Sequence, residues 1–243
     1  MNSGAGLAAV ITQLQARLAE AARAAGRDPA AVRLVAVSKT FPAEAVAAAA
    51  ACGLRDFGEN RLEEAVPKRQ RLAAAPFSAE LRWHMIGHVQ SRKARDVAEA
   101  DFALVHSLDS LKLADRLGRF AQAAGRSQPV LLECNVSGEV SKAGFAAHDP
   151  AAWDTVLTEF GAVLAQPGLR VRGLMTMAPL GTDHVTARPF FARLRALQAA
   201  ARARWPQAEW DELSMGMTDD FEGAVAEGAT LVRVGRAIFG ERS

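Results

Sequence analysis

The sequence predicts an α/β fold: a single (β/α)8 TIM-like barrel with an extra N-terminal helix. Eight short apolar runs recur along the 243 residues, each followed by a helix or a helical remnant. They start at intervals of roughly 20 to 40 residues, enough for a strand, a loop and a crossover helix. Regular β–α alternation implies parallel pairing, because only a crossover can return the chain to the same end of a sheet. No G-x-G-x-x-G follows the first strand, which weighs against an open dinucleotide-binding sheet.

The chain opens with Leu7, Val10, Ile11, Leu14 and Leu18 at helical spacing, with Gln13, Arg17 and Glu20 interleaved. This is an amphipathic surface helix and not a signal peptide, so residues 1–30 are expected to pack on a barrel that makes 1–243 one domain. After Gly26-Arg27-Asp28-Pro29 comes the first strand, Arg33 to Thr40, whose branched residues suit burial on both faces. Phe41-Pro42 closes it, and an alanine-rich helix runs from Ala43 to about Cys52-Gly53. Arg55 to Asn60 reads as the second strand, with a charged helix from Arg61 to about Leu72. Leu81 to Gly87 is the third, with a basic helix expected over Val89 to Ala98. Phe102 to Ser107 is the fourth, backed by Leu111 to Ala123. Pro129 to Val136 is the fifth, followed by a loop, Ser137 to Phe145, and a helix from Pro150 to about Leu164. Leu169 to Thr176 is the sixth, with Arg188 to Arg204 its helix. Trp210 to Ser214 is a weaker seventh, Phe221 to Glu227 its short helix, and Leu231 to Gly235 the eighth.

Half the residues are apolar and 23% are charged, ordinary values for a globular protein. A formal net charge of +2, with signs mixed along the chain, gives no reason to expect nucleic acid or an anionic membrane as partner. The longest uncharged apolar stretch, Ala45 to Leu54, is too short to span a bilayer. Cys52 and Cys134 sit in apolar contexts without metal-ligand spacing, as buried reduced thiols of a cytoplasmic protein would. No metal site is expected.

In a barrel of this kind the useful residues lie at the carboxyl ends of the strands. One mouth would then collect Lys39, Asn60, His84, Ser107, Asn135, Met175, Ser214 and Arg233. Singly, each polar one reads as a loop cap or a satisfied surface group. Lys39 is different, because an ammonium at the end of a buried strand pairs with a carboxylate, turns outward, or loses its proton and becomes a nucleophile toward carbonyls. Ser214-Met215-Gly216-Met217-Thr218 offers two hydroxyls and a glycine before a helix start, and Gly235 opens another short helix. Free amides at helix starts bind phosphate, and barrels often place such a site after strands 7 and 8. Asp219 and Asp220 must then cap the helix and face solvent. The bland alternative is two tight turns closing the barrel. A lysine facing a phosphate cup calls for a ligand with an aldehyde at one end and a phosphate at the other, and pyridoxal phosphate has both.

At these residues the chain resembles the pyridoxal phosphate homeostasis proteins, relatives of the amino-terminal barrel domain of alanine racemase. The matching stretches are Ala36 to Thr40, Phe57 to Asn60, His84 to Lys93, His106 to Leu108, Asn135 with Lys142 to Phe145, Gly173 to Met177, Ser214 to Met217 and Arg233 to Gly240. The resemblance implies pyridoxal 5'-phosphate held as a Schiff base on Lys39. Ser214, Thr218 and the amides near Gly216 and Gly235 would take the phosphate, Arg233 would face the pyridine nitrogen, Asn60 would lie near the ring, and Met175 would also belong to the cofactor site. Thr218 stands where serine is usual in the family, and Arg92 where asparagine is frequent; neither removes a site group.

The implied function is intracellular storage and delivery of the cofactor, with pyridoxal phosphate-dependent apoenzymes as recipients. The alternative is an amino-acid racemase. Racemisation needs a base on each face of the substrate, and the racemases take the second from a tyrosine in a further domain. This sequence contains no tyrosine and ends after its eighth unit, so a non-enzymatic carrier, and a monomer, are expected. An arginine at the pyridine nitrogen also weakens the ring as an electron sink. A lysine-imine aldolase acting on a phosphorylated sugar shares the lysine and the cup, but aldolase lysines usually sit late in the barrel.

Overall fold

The structure, a computed structural model, describes residues 4–241. In chain order the elements are α1 (Gly4–Ala24), β1 (Arg33–Val37), α2 (Ala43–Ala51), β2 (Asp56–Glu59), α3 (Leu62–Leu72), β3 (Arg82–Met85), α4 (Ala94–Ala100), β4 (Leu104–Leu108) and α5 (Leu111–Ala123). They continue with β5 (Gln128–Asn135), β6 (Phe145–Ala146), α6 (Trp153–Leu164), β7 (Leu169–Met175), α7 (Arg188–Arg204), β8 (Glu212–Ser214), α8 (Phe221–Ala226), β9 (Leu231–Val234) and α9 (Arg236–Phe239). The strands run β4-β3-β2-β1-β9-β8-β7-β5, all parallel, and a β4–β5 pairing closes the ring. Eight strands thus form the barrel the alternation predicts. The ninth, β6, is two residues that pair with the end of β5 outside the ring, beginning at Phe145, where the expected loop ends.

Alternation along each strand sorts the side chains. Ala36, Phe57, Trp83, Val105, Leu132, Leu174, Leu213 and Val232 belong to the large core between the sheet and its helices. Val35, Leu104, Leu131, Met175 and Leu231 form a separate, small apolar cluster inside the barrel. Two residues along from these, Glu133 and Arg233 face the same way, and on the flanking strands Asp56, His84, His106 and Ser214 also turn inward. Buried branched residues usually fill such a barrel. Here much of the filling is polar.

The helices of the seventh and eighth units, α8 and α9, have only six and four residues. The long α1 lies across both, with Leu7, Ile11, Leu14, Leu18 and Ala22 buried. Arg17 of α1 pairs with Glu222 of α8 and sits 4.8 Å over the Phe221 ring. The extra helix therefore supplies cover that two short crossover helices lack.

Two boundaries differ from expectation. The first strand stops at Val37 because the chain turns at Lys39-Thr40, where Thr40 takes φ 68°. The basic helix expected from Val89 starts only at Ala94, after a 3-10 turn over Ser91–Lys93. Gln90 is extended and Val89 is buried as a plug, so neither begins a helix.

Candidate functional site

Lys39 sits in the turn that leaves the carboxyl end of β1, and that turn is tied down on three sides. Glu59, fully buried at the end of β2, accepts from Ser38 Oγ at 2.7 Å and from Lys68 Nζ at 2.6 Å. Lys68 also donates to the Ser38 carbonyl at 2.8 Å, and Glu64 accepts from the Thr40 amide at 2.6 Å. Thr40 is the sort of left-handed non-glycine residue that persists only where its surroundings fix it. Burial pushes the Glu59 carboxyl up, against the pull of Lys68 and Ser38.

Parallel pairing of β1 with β9 sets Ala36 beside Val234, which brings Gly235 alongside Val37. Lys39 and Gly235 line one cavity of about 290 Å³, together with Val37, Phe41, Arg236, Gly240 and Glu241. A Cβ on Gly240 would meet nothing within 4 Å, and one on Gly235 would come to 3.1 Å from the Val37 carbonyl oxygen. Phe41 packs on Phe239 with ring centroids 5.1 Å apart, which fastens α9 to the Lys39 turn.

The other expected site residues take varied positions at the same end of the barrel. Asn60, half-buried, follows β2, and Met175 is buried in the interior cluster. Gly216 has φ 91°, and a Cβ there would lie 2.5 Å from that of Ala224, so the close approach to α8 demands glycine. Its carbonyl accepts from the Arg233 amide at 3.0 Å. Arg233 is buried; Nη1 donates to Ser214 Oγ at 2.6 Å and Nη2 to the Thr176 carbonyl at 2.9 Å. Desolvation lowers its pKa to about 10, so it remains a cation at neutral pH.

Several placements differ from the sequence reading. Ser214, expected to turn its hydroxyl to a phosphate, is wholly buried and bonds His106 Nδ1 at 2.8 Å as well as Arg233. Thr218 lines a shallow hollow with Arg17, His184, Asp219 and Glu222 and not the Lys39 cavity. Asp220 does not face solvent: it is buried, accepts from the Met217 amide at 2.5 Å, and burial raises its carboxyl. Asp219 is exposed and pairs with Arg236. His84 lies in the barrel interior, Ser107 donates to the Gly87 carbonyl at 2.6 Å, and Asn135 shapes the following loop by bonding Glu139 and Gly138. Cys134 is buried and Cys52 half-buried.

Glu133 and the Glu59–Lys68 pair were not singled out from the sequence. Glu133 faces inward on β5, where burial and the neighbouring Asp109 push its carboxyl up to about 7. A lone glutamate within Val130 to Cys134 was the available signal, as was Lys68 on the same helical stripe as Leu72 and Ala65.

With this geometry set out, the relatives can be placed. A family model described as "Alanine racemase, N-terminal domain" matches residues 11–243. The pyridoxal phosphate homeostasis protein of Pseudomonas aeruginosa is 49% identical over 232 residues, covering 96% of this chain and 94% of its own. The chain belongs to the pyridoxal phosphate homeostasis protein family. The Escherichia coli K12 member of the family is 38% identical over 233 residues, 96% of this chain and 95% of its own. Among solved structures, PipY from Synechococcus elongatus with PLP bound superposes with TM-score 0.81 at 38% identity, over 96% of this chain and all of that one. Alanine racemase from Streptomyces coelicolor shares the fold, with TM-score 0.69 at 21% identity over 97% of this chain and 59% of its own.

Proposed function

We propose that this chain binds pyridoxal 5'-phosphate as a Schiff base on Lys39 and serves in intracellular homeostasis of the cofactor, storing it and delivering it to apoenzymes without turnover of its own. The observation that carries the reading is that Lys39 and Gly235, from the first and last barrel units, line one cavity. It gains weight from PipY, which has PLP bound and aligns over nearly the whole chain.

The residues present fit the group. The cavity joins a lysine side chain to Gly235 and Gly240, and its one carboxylate, Glu241, lies 3.8 Å from the Arg236 guanidinium that shares the cavity. When bound, pyridoxal phosphate supplies an aldehyde carbon for an amine and, at the far end, a dianion for amide donors. In this reading Lys39 holds the aldehyde carbon and the amides near Gly216 and Gly235 take the phosphate. Asn60 and Met175 border the ring, and Arg233 faces its nitrogen with Ser214 behind it as an anchor. In the same reading the protein is a monomer of the cytoplasm. No helix among the described residues is long and apolar enough to cross a membrane.

The test is spectroscopic. Pyridoxal phosphate added to the purified protein is expected to give a visible absorption band that Lys39→Ala abolishes. A band of undiminished strength in that variant would end the proposal.

A further inference from the structure

A line of polar side chains runs through the barrel interior, where apolar residues would ordinarily sit. Arg82 donates to both carboxylate oxygens of Asp56, at 2.7 and 2.6 Å. Asp56 Oδ1 lies 3.0 Å from His84 Nε2, His84 Nδ1 lies 2.9 Å from His106 Nε2, and His106 Nδ1 lies 2.8 Å from Ser214 Oγ. Ser214 Oγ in turn accepts from Arg233 Nη1 at 2.6 Å. The line passes along the adjacent strands β2, β3 and β4, crosses the lumen to β8, and ends on β9. His84, His106 and Ser214 are each no more than 1% exposed.

We infer that His84 and His106 are positioning residues which, through one unidirectional string of hydrogen bonds anchored on Asp56, fix the Arg233 guanidinium in a single orientation at the barrel mouth. The donor roles follow from the two ends. Arginine can only donate, and an ionised carboxylate can only accept. Arg233 therefore donates to Ser214, and the Ser214 hydroxyl proton goes to His106 Nδ1. His106 Nε2–H then donates to His84 Nδ1, and His84 Nε2–H to Asp56. Every group is satisfied once, with both imidazoles neutral and protonated at Nε2. A proton added to either ring would turn two donors on one another or strip the Ser214 proton of its acceptor. Burial keeps His106 neutral, holding its pKa well below the ordinary histidine value.

Stability alone gives little reason for such a string, since buried polar networks are often no better than apolar packing of the same shape. The string's effect is at its mouth end, where it leaves Ser214 Oγ only one role toward Arg233. What Arg233 faces there rests on the proposed cofactor reading; the string itself does not.

The test begins with ring-nitrogen NMR of the full chain without added cofactor. The five histidines are few enough to assign with His84→Asn and His106→Asn. At neutral pH both rings are expected to be Nε2–H tautomers, with Nδ1 as the acceptor. A cationic ring or an Nδ1–H tautomer at either position would overturn the inference. The Arg233 Nη signals should be resolved in the unaltered chain and merged by rotation in His106→Leu. They should be resolved again in His106→Asn, whose amide oxygen can take the place of Nδ1. Identical Arg233 signals in the unaltered chain and His106→Leu would also overturn it. If His106→Leu fails to fold, the tautomers of the unaltered chain decide. Pyridoxal phosphate affinity should fall about tenfold in His106→Leu, as for loss of one hydrogen bond to a charged group, and less than about threefold in His106→Asn. Equal affinity in His106→Leu would remove the positioning role. Failure of the unaltered chain to bind pyridoxal phosphate would sink the cofactor reading and leave the string to be decided by the spectra.

Discussion

Glu133 shows how a single residue at the mouth sets a pH dependence. Its carboxyl is pushed up to about 7, first by burial and next by the Asp109 charge, and Arg233 only partly offsets this. In the unfolded chain the same group titrates near 4.5. Between those two values the folded protein keeps a proton that the unfolded chain has released. Raising the pH through this window therefore favours unfolding, by roughly 3 kcal/mol in total, and the loss is complete above 7. Glu133→Gln removes the titration. The variant is expected to be the more stable of the two at pH 8, with the difference shrinking toward pH 5, as measured by denaturant unfolding at each pH. A difference that does not change with pH would contradict this assignment. Asp56 illustrates the opposite sign. Burial alone would raise its carboxyl, but hydrogen bonds from Arg82 and His84 carry it well below the usual range. Its contribution to stability is therefore present above the ordinary aspartate pKa and lost in acid. Lys39 and Gly235 were legible in the sequence because strand ends and glycine-opened helices have local signatures. The inward turn of Ser214 was not, because its partners His106 and Arg233 come from strands elsewhere in the chain.

At the scale of an element, the Lys39 turn depends on α3. Lys68 and Glu59 are both buried, and their 2.6 Å contact lets Lys68 reach the Ser38 carbonyl next to Lys39. A buried pair of this kind adds little net stability, but removing one partner strands the other charge at a cost of about 3–5 kcal/mol. Lys68→Met is expected to destabilise the protein by that order and to weaken the visible band of the cofactor. Adding Glu59→Leu to Lys68→Met should restore much of the stability. Denaturant midpoints for the two variants and the unaltered chain check this; a double variant no more stable than Lys68→Met would show that the stranded charge is not the cause. The eight barrel strands were readable as elements because each apolar run is bounded by turn residues. The start of α4 and the two-residue β6 were not, since a buried Val89 mimics a helix position and β6 exists only through its pairing with Cys134 and Asn135.

For the molecule as a whole, racemase chemistry would need two bases at one cavity. Exchange at a substrate α-carbon in both directions requires a proton acceptor on each face. Lys39 could serve one face, and the resemblance to racemases implies a tyrosine for the other, yet these 243 residues include none. A histidine such as His84 could in principle substitute. His84 is 1% exposed, and its two ring nitrogens face Asp56 and His106 inside the barrel. His88 is exposed but pairs with Asp109 at 2.8 Å, and His106 is wholly buried. The cofactor-loaded protein, incubated with alanine and other common amino acids in deuterated water, is accordingly expected to exchange the α-proton no faster than free pyridoxal phosphate does. Robust exchange that disappears in Lys39→Ala would make the chain an enzyme, with Glu241, the carboxylate that shares the Lys39 cavity, as the first candidate for the second base.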